Sequence, residues 1–137
     1  ILDAGVSLLL PSSDDIGVNL HQVVWGHVLR SLSADLSYRR TVRTRIGGAE
    51  VISFLLEDEF FPRTLRYCHN RIVESVYKLP RQKAVLAQLE AMGPFEFNAA
   101  SDDEIDQRFR DHINELQIQF AGLHQCFYDN WFAIGQA

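Results

Sequence analysis

Leu20-His-Gln-Val-Val-Trp25-Gly-His-Val-Leu-Arg30-Ser-Leu-Ser-Ala-Asp35-Leu36 is the stretch whose reading decides the fold class. Leu20, Val24, Val28, Leu32 and Leu36 recur at intervals of four, and Trp25 and Leu29 widen the same stripe. That is the period of an α-helix with one buried face. Asn19 stands where an N-cap is expected, with Gln22 three residues on as a capping-box variant. The helix is expected to run to about Val42. Gly26 in its interior costs roughly 1 kcal/mol relative to Ala, which points to a close contact at that position.

Upstream, Ile1 to Leu10 is apolar on much of its circumference and ends at the loop Pro11-Ser-Ser-Asp-Asp15. Ile1 to Gly5 reads as the tail of a helix that begins earlier, so the chain is expected to be a fragment of a longer one. Downstream, Gly47-Gly48 marks a break before a short helix over Ala49 to Leu56. Glu57-Asp58-Glu59 closes that helix, and Pro62 suits the first position of the next. Leu65, Cys68, Ile72, Val76 and Leu79 step by three and four, a second apolar stripe that ends at Pro80. Arg81 to Met92 reads as a fourth helix with Val85, Leu89 and Met92 inward, stopped by Gly93-Pro94. Phe95 to Ala100 is a linker whose two aromatics are expected to fold back on the core. Ser101-Asp-Asp-Glu104 reads as a capping box. Ile105, Phe109, Leu116, Phe120, Leu123, Phe127 and Trp131 then mark a last helix of roughly 30 residues, on the order of 45 Å. The expectation is an all-α protein, one domain over residues 1–137, folded as an up-down bundle of about five helices with one long C-terminal helix.

With 137 residues and 47% hydrophobic content, the chain is long enough to bury a core. A net charge of −5 argues against generic nucleic-acid binding. The apolar stretches, such as Val6 to Leu10 with Ser7 inside it, are far too short to span a bilayer. Two cysteines, Cys68 and Cys126, form no Cys-x-x-Cys pair, and a reducing, cytoplasmic setting is expected. Cys68 on its apolar stripe reads as a small buried hydrophobe.

The arginines are the first candidates for a site. Arg30, Arg39, Arg40, Arg43 and Arg45 share their stretch with a single acid, Asp35, and with Tyr38. Guanidinium forks hold phosphate and carboxylate bidentately, so the cluster reads as an anion or acidic-peptide site. The competing reading is a solvated helix end that pairs with Glu57, Asp58 and Glu59. Arg30, close to the core stripe, would need a named partner if partly buried. Arg63, just past Pro62, has the wrong sign for a helix N-terminus and is expected to reach across to the acidic turn or to a ligand. Phe60-Phe61 beside that turn is a candidate partner anchor. His21, His27, His69, His112 and His124 make no His-x-x-x-His pair, so no metal site is expected, and no cofactor.

Trp25-Gly-His-Val-Leu-Arg30-Ser-Leu-Ser-Ala34, Tyr38-Arg39-Arg40, Val51 to Leu56 and Phe61-Pro62-Arg63-Thr64 together resemble the bacterial alpha-E domain, a predicted helical domain named for a Glu-Arg motif. The resemblance covers nearly the whole chain. The Glu-Arg motif itself is not in this sequence, so no motif residue is carried over, and the chain is expected to be the C-terminal portion of the domain. The resemblance implies a role in a peptide or amide-bond synthesis and modification system, beside ATP-grasp-type ligases and transglutaminase-like proteases. The expected function is a binding or scaffold module, without enzymatic activity of this chain alone. Its partner would be such a ligase or protease, at a surface of Arg30, Arg39, Arg40, Arg63, Tyr38 and Phe61. The alternative is an enzyme or ligand-binding domain whose arginine-lined anion site is completed by the missing Glu-Arg helix. Self-association is a further expectation, since a lost helix would leave an apolar groove.

Overall fold

A computed structural model describes residues 1–2, 17–43, 46–99, 101 and 104–135. The apolar stretch Ile1 to Leu10 with the helix tail expected at its start, the loop at 11–15, Arg45 and the acids at 102–103 fall wholly or largely outside the described residues. Among the described residues six α-helices follow in order: α1 Gly17–Ser31, α2 Asp35–Thr41, α3 Gly48–Glu57, α4 Leu65–Val76, α5 Lys83–Ala91 and α6 Gln107–Phe127. A π-helical turn, Tyr128–Phe132, extends α6. No strand occurs among the described residues. Successive helices pack on one another, α3 on α4, α4 on α5 and α5 on α6, while α1 lies against α3. This is the all-helical bundle with a long last helix that the apolar periodicity predicts.

The deciding stretch holds as a helix only to Ser31. Trp25, Val28 and Leu29 are buried as expected, each contributing on the order of 1.5–3 kcal/mol by leaving water. Ser33 then adopts a left-handed φ of 52°. The Ser33 N–H donates to the Arg30 carbonyl at 2.9 Å, and the Ala34 N–H to the Leu29 carbonyl at 2.8 Å. These are the two bonds of a Schellman stop, and the apolar contact that accompanies it falls between Leu29 and Ala34, both fully buried. The chain restarts as α2, which turns Tyr38 inward and leaves Leu36 64% exposed. The expected continuation to Val42 is therefore two helices, and the spacing-four series ends at Leu32. α1 also begins at Gly17, upstream of the N-cap expected at Asn19.

Two more boundaries shift for capping reasons. The α4 N-cap is Thr64, whose hydroxyl accepts the Tyr67 N–H, so Pro62 lies in the preceding turn and not at the first helical position. The last helix starts at Gln107, where the Asp106 carboxylate accepts the Arg108 N–H at 2.9 Å. Ser101 is not its cap. Starting later shortens α6 to 21 residues plus the π turn and leaves Ile105 free to fill the first core. Cys68 is exposed, contrary to the expectation of burial, because the stripe of α4 is carried by Ile72 and Val76.

Among the described residues the apolar side chains form two clusters. The first joins α1, α2 and α3 with Ile105 and Phe109 around Trp25, Tyr38 and Phe54. The second joins the end of α4, α5 and the C-terminal half of α6 around Val76, Val85, Leu89 and Leu123. The linker after α5 is strapped between them. Gln119 of α6 accepts the Gly93 N–H at 2.8 Å and donates to the Gly93 carbonyl. Phe95 is buried, Arg66 of α4 lies over its ring at 4.8 Å, and the same guanidinium pairs with Glu96 at 2.9 Å. Phe97 reaches the first core edge-on to Phe109, so both linker aromatics fold back as expected.

Candidate partner-binding site

The turn between α3 and α4, residues 58–64, is built by one acid and one hydroxyl. Asp58 is the C-cap residue of α3, and its Oδ2 accepts the N–H groups of Phe60 at 3.0 Å and Phe61 at 2.7 Å. Thr64, fully buried, donates its hydroxyl to the Asp58 carbonyl while capping α4. An aspartate that binds backbone donors two and three residues on fixes a turn without help from the core. The result is a rigid loop that splits the aromatic pair. Phe61 stacks on Phe54 at 5.9 Å and is half-buried, whereas Phe60 points outward and is 85% exposed.

Arg63 leaves the same turn in the other direction. Its Nη1 donates to the Leu32 carbonyl, 31 residues away, at the C-terminal end of α1. A cation there complements the negative end of the helix dipole. The guanidinium thus answers α1 and not the acidic turn beside it, and among the described residues no carboxylate pairs with it. Arg30 is exposed on the outer face of α1, 3.4 Å from His27 Nδ1, so the partly buried arginine considered from sequence is instead a solvated one. Arg39 and Arg40 lie exposed in the last turn of α2, where their charge again suits a helix end. None of these four forms an ion pair with Glu57, Asp58 or Glu59 among the described residues; the ion pairs there include Arg66–Glu96, Arg71–Glu74 and Arg108–Asp106.

Tyr38 is a core residue. It is fully buried, edge-on to Phe54 at 5.6 Å. The series Tyr38, Phe54, Phe61 therefore ties α2, α3 and the 58–64 turn together, with Arg39 and Arg40 carried on the helix at one side and Phe60 on the turn at the other. Arg30 and Arg63 are not brought into one pocket with them.

Between the end of α2 and α3 lies a cavity of about 470 Å³, floored by Phe54 and Val42 and edged by Glu50, Glu57 and Asp58. Glu50, Ser53 and Glu57 share one face of α3, and the Ser53 hydroxyl donates to Glu57 Oε2 at 3.0 Å. This concavity carries carboxylates, the sign opposite to the anion site expected of the arginine-rich stretch. Its signal was present in the i, i+3, i+7 spacing of Glu50, Ser53 and Glu57. Among the described residues no group of three metal-ligating side chains converges, and no helix is long and apolar enough to cross a membrane.

No curated protein and no solved structure gives a significant match to this chain. One family model matches residues 1–132, essentially the whole chain; its description is a predicted alpha-helical domain with a conserved ER motif. On that match, the chain belongs to the Alpha-E family.

Proposed function

We propose that this domain is a binding module that holds a protein partner in a bacterial peptide or amide-bond synthesis and modification system, the partner being an ATP-grasp-type ligase or a transglutaminase-like protease. The observation that carries the reading is Phe60. A large aromatic side chain, 85% exposed, stands on a turn already fixed by Asp58 and Thr64. Burying such a side chain in a partner gains apolar area, and a preformed turn spares the ordering cost that a loose loop would incur. Arg39 and Arg40 stand exposed in the last turn of α2, and the acid-edged cavity beside Phe54 offers the opposite charge, a pattern suited to steering and register. The binding surface of this reading is Phe60 with Phe61, Arg39 and Arg40. Tyr38 supports it from within the core.

The test is affinity purification of the parent protein from its own cells, as wild type and as Phe60→Ser. A ligase or protease of the named classes recovered with the wild type at near-stoichiometric level, and lost with Phe60→Ser, is the expected result. Equal recovery with both proteins, or none reproducibly with either, refutes the reading.

A further inference from the structure

We propose that the turn between α4 and α5, residues 77–83, is a contact surface for an anionic lipid membrane. Five consecutive residues there, Tyr77, Lys78, Leu79, Pro80 and Arg81, are exposed, and Lys83 follows, exposed, at the start of α5. Such a run is a protruding tip, and it carries two sorts of side chain at once. Tyr77 is 60% exposed and Leu79 40%, while Lys78, Arg81 and Lys83 supply three cations. None of the three forms an ion pair among the described residues. On the elements that hold the turn, Glu74 of α4 pairs with Arg71, α5 has no acid before Glu90, and Asp129 of the π turn accepts from Gln125. Exposed charges more than about 8 Å apart are largely screened at physiological ionic strength, so acids elsewhere in a chain of net charge −5 do not cancel this local excess.

The tip is held in one conformation by its neighbours. The N–H groups of Tyr77, Lys78 and Leu79 donate to the carbonyls of Val73, Ser75 and Val76. From behind, Asn130 Nδ2 donates to the Arg81 carbonyl at 3.0 Å and Trp131 Nε1 to the Pro80 carbonyl at 2.9 Å. Arg81 stands at φ 56°, a left-handed conformation that residues other than glycine rarely adopt, and these bonds fix it there. A fixed tip with apolar side chains among cations matches a soft anionic surface. The phenol and the leucine enter the headgroup boundary, and the cations stay level with the phosphates. Lasting attachment to a membrane surface takes an apolar and an electrostatic part together, and this turn has both. Such contact needs no spanning helix, and among the described residues there is none. The tip lies at the far end of α4 from the Phe60 turn, roughly 18 Å along its 12 residues, so this inference stands or falls separately from the partner-binding reading.

The test is co-sedimentation of the chain with phosphatidylcholine vesicles containing about one-third phosphatidylglycerol, beside vesicles of phosphatidylcholine alone. Expected is binding to the anionic vesicles that weakens as salt is raised. At about fivefold per cation, binding to the neutral vesicles should be weaker by about a hundredfold. Lys78→Gln combined with Arg81→Gly should weaken anionic binding about 25-fold, and glycine suits the φ at position 81, so the turn keeps its shape. Leu79→Ser should weaken binding at every salt concentration, whereas Phe60→Ser should leave it unchanged. The comparison of the two vesicles on the wild type decides the matter even if a variant unfolds. Equal binding to both vesicles, or none to either, overturns the proposal. Binding of a hexaglutamate peptide at residues 77–83 without vesicle binding overturns it likewise and assigns the turn to an acidic protein segment.

Discussion

Replacing Gly48 and Gly26 by alanine in separate proteins should shift stability in opposite directions. Both glycines lie in helices, and on helix propensity alone each change stabilises by up to about 1 kcal/mol. Their surroundings differ. A Cβ on Gly26 would meet only the Arg30 guanidinium, at 3.6 Å, which is ordinary contact with the end of a flexible side chain. A Cβ on Gly48 would lie 2.6 Å from Trp25 Nε1, 2.9 Å from Trp25 Cε2 and 2.6 Å from Ile105 Cδ1. The Ile105 methyl can rotate away. The indole is fully buried, and moving it displaces the centre of the first core. Overpacking of that kind costs about 1–3 kcal/mol, which exceeds the propensity gain. Gly48→Ala should therefore destabilise by about 1–2 kcal/mol, and Gly26→Ala should stabilise by about 0.5–1 kcal/mol. Urea unfolding followed by tryptophan fluorescence measures both, with equal m-values as the check that only stability has changed. The same sign for both variants would refute the placement of the close contact at Gly48.

Thr64→Val removes the hydroxyl that binds the Asp58 carbonyl and caps α4, and should lower stability by about 1–2 kcal/mol, whereas Thr64→Ser should stay within about 0.5 kcal/mol of wild type in the same urea assay. Leu123→Ala opens the second core at its most buried α6 position and should cost about 2–5 kcal/mol by thermal or urea melting. Phe60→Ser should leave the unfolding midpoint within about 0.5 kcal/mol of wild type, which is what allows its loss of partner binding to be read as a loss of contact.

Much of the fold is legible in the chain because its helices have one apolar face each. Trp25, Val28 and Leu29, the run Val51 to Leu56, and Phe109, Leu116 and Leu123 on α6 are where periodicity puts them. What hid the break after α1 is that the left-handed residue of its stop is Ser33 and not a glycine, while Leu36 continues the spacing of four by coincidence. Gly26 drew attention as a close contact, yet the tight approach is at Gly48, where a residue 23 positions away provides the neighbour; spacing along one helix carries no information about that. The start of α6 was misread because Ser101 to Glu104 has the spacing of a capping box, whereas Asp106 provides the cap and Ile105 ahead of it fills the first core. The site was less legible than the fold for the same reason. Arg63 answers the Leu32 carbonyl across 31 residues, so neither its sequence neighbours nor its own helix announced the partner. Phe60 and Phe61 are chemically alike, and it is the turn fixed by Asp58 together with the stacking of Phe61 on Phe54 that leaves Phe60 facing solvent.

Two hydrophobic clusters in one small chain raise the question of whether they unfold as one. Two helices cross between them. α4 begins with Leu65 on the first core and ends with Val76 in the second, and α6 does the same from Phe109 to Leu123. Separating the clusters would require breaking both helices mid-length and freeing the strap from Gly93 to Phe97, which loses hydrogen bonds without exposing less apolar surface. A single cooperative transition is therefore expected. The chain carries its own reporters: Trp25 is buried in the first core, and Trp131 packs on Phe127 in the second and donates Nε1 to the Pro80 carbonyl at 2.9 Å. With fluorotryptophan incorporated at both positions, the two native ¹⁹F resonances should disappear at the same urea concentration. Loss of the Trp131 signal at clearly lower urea would show that the second core opens alone.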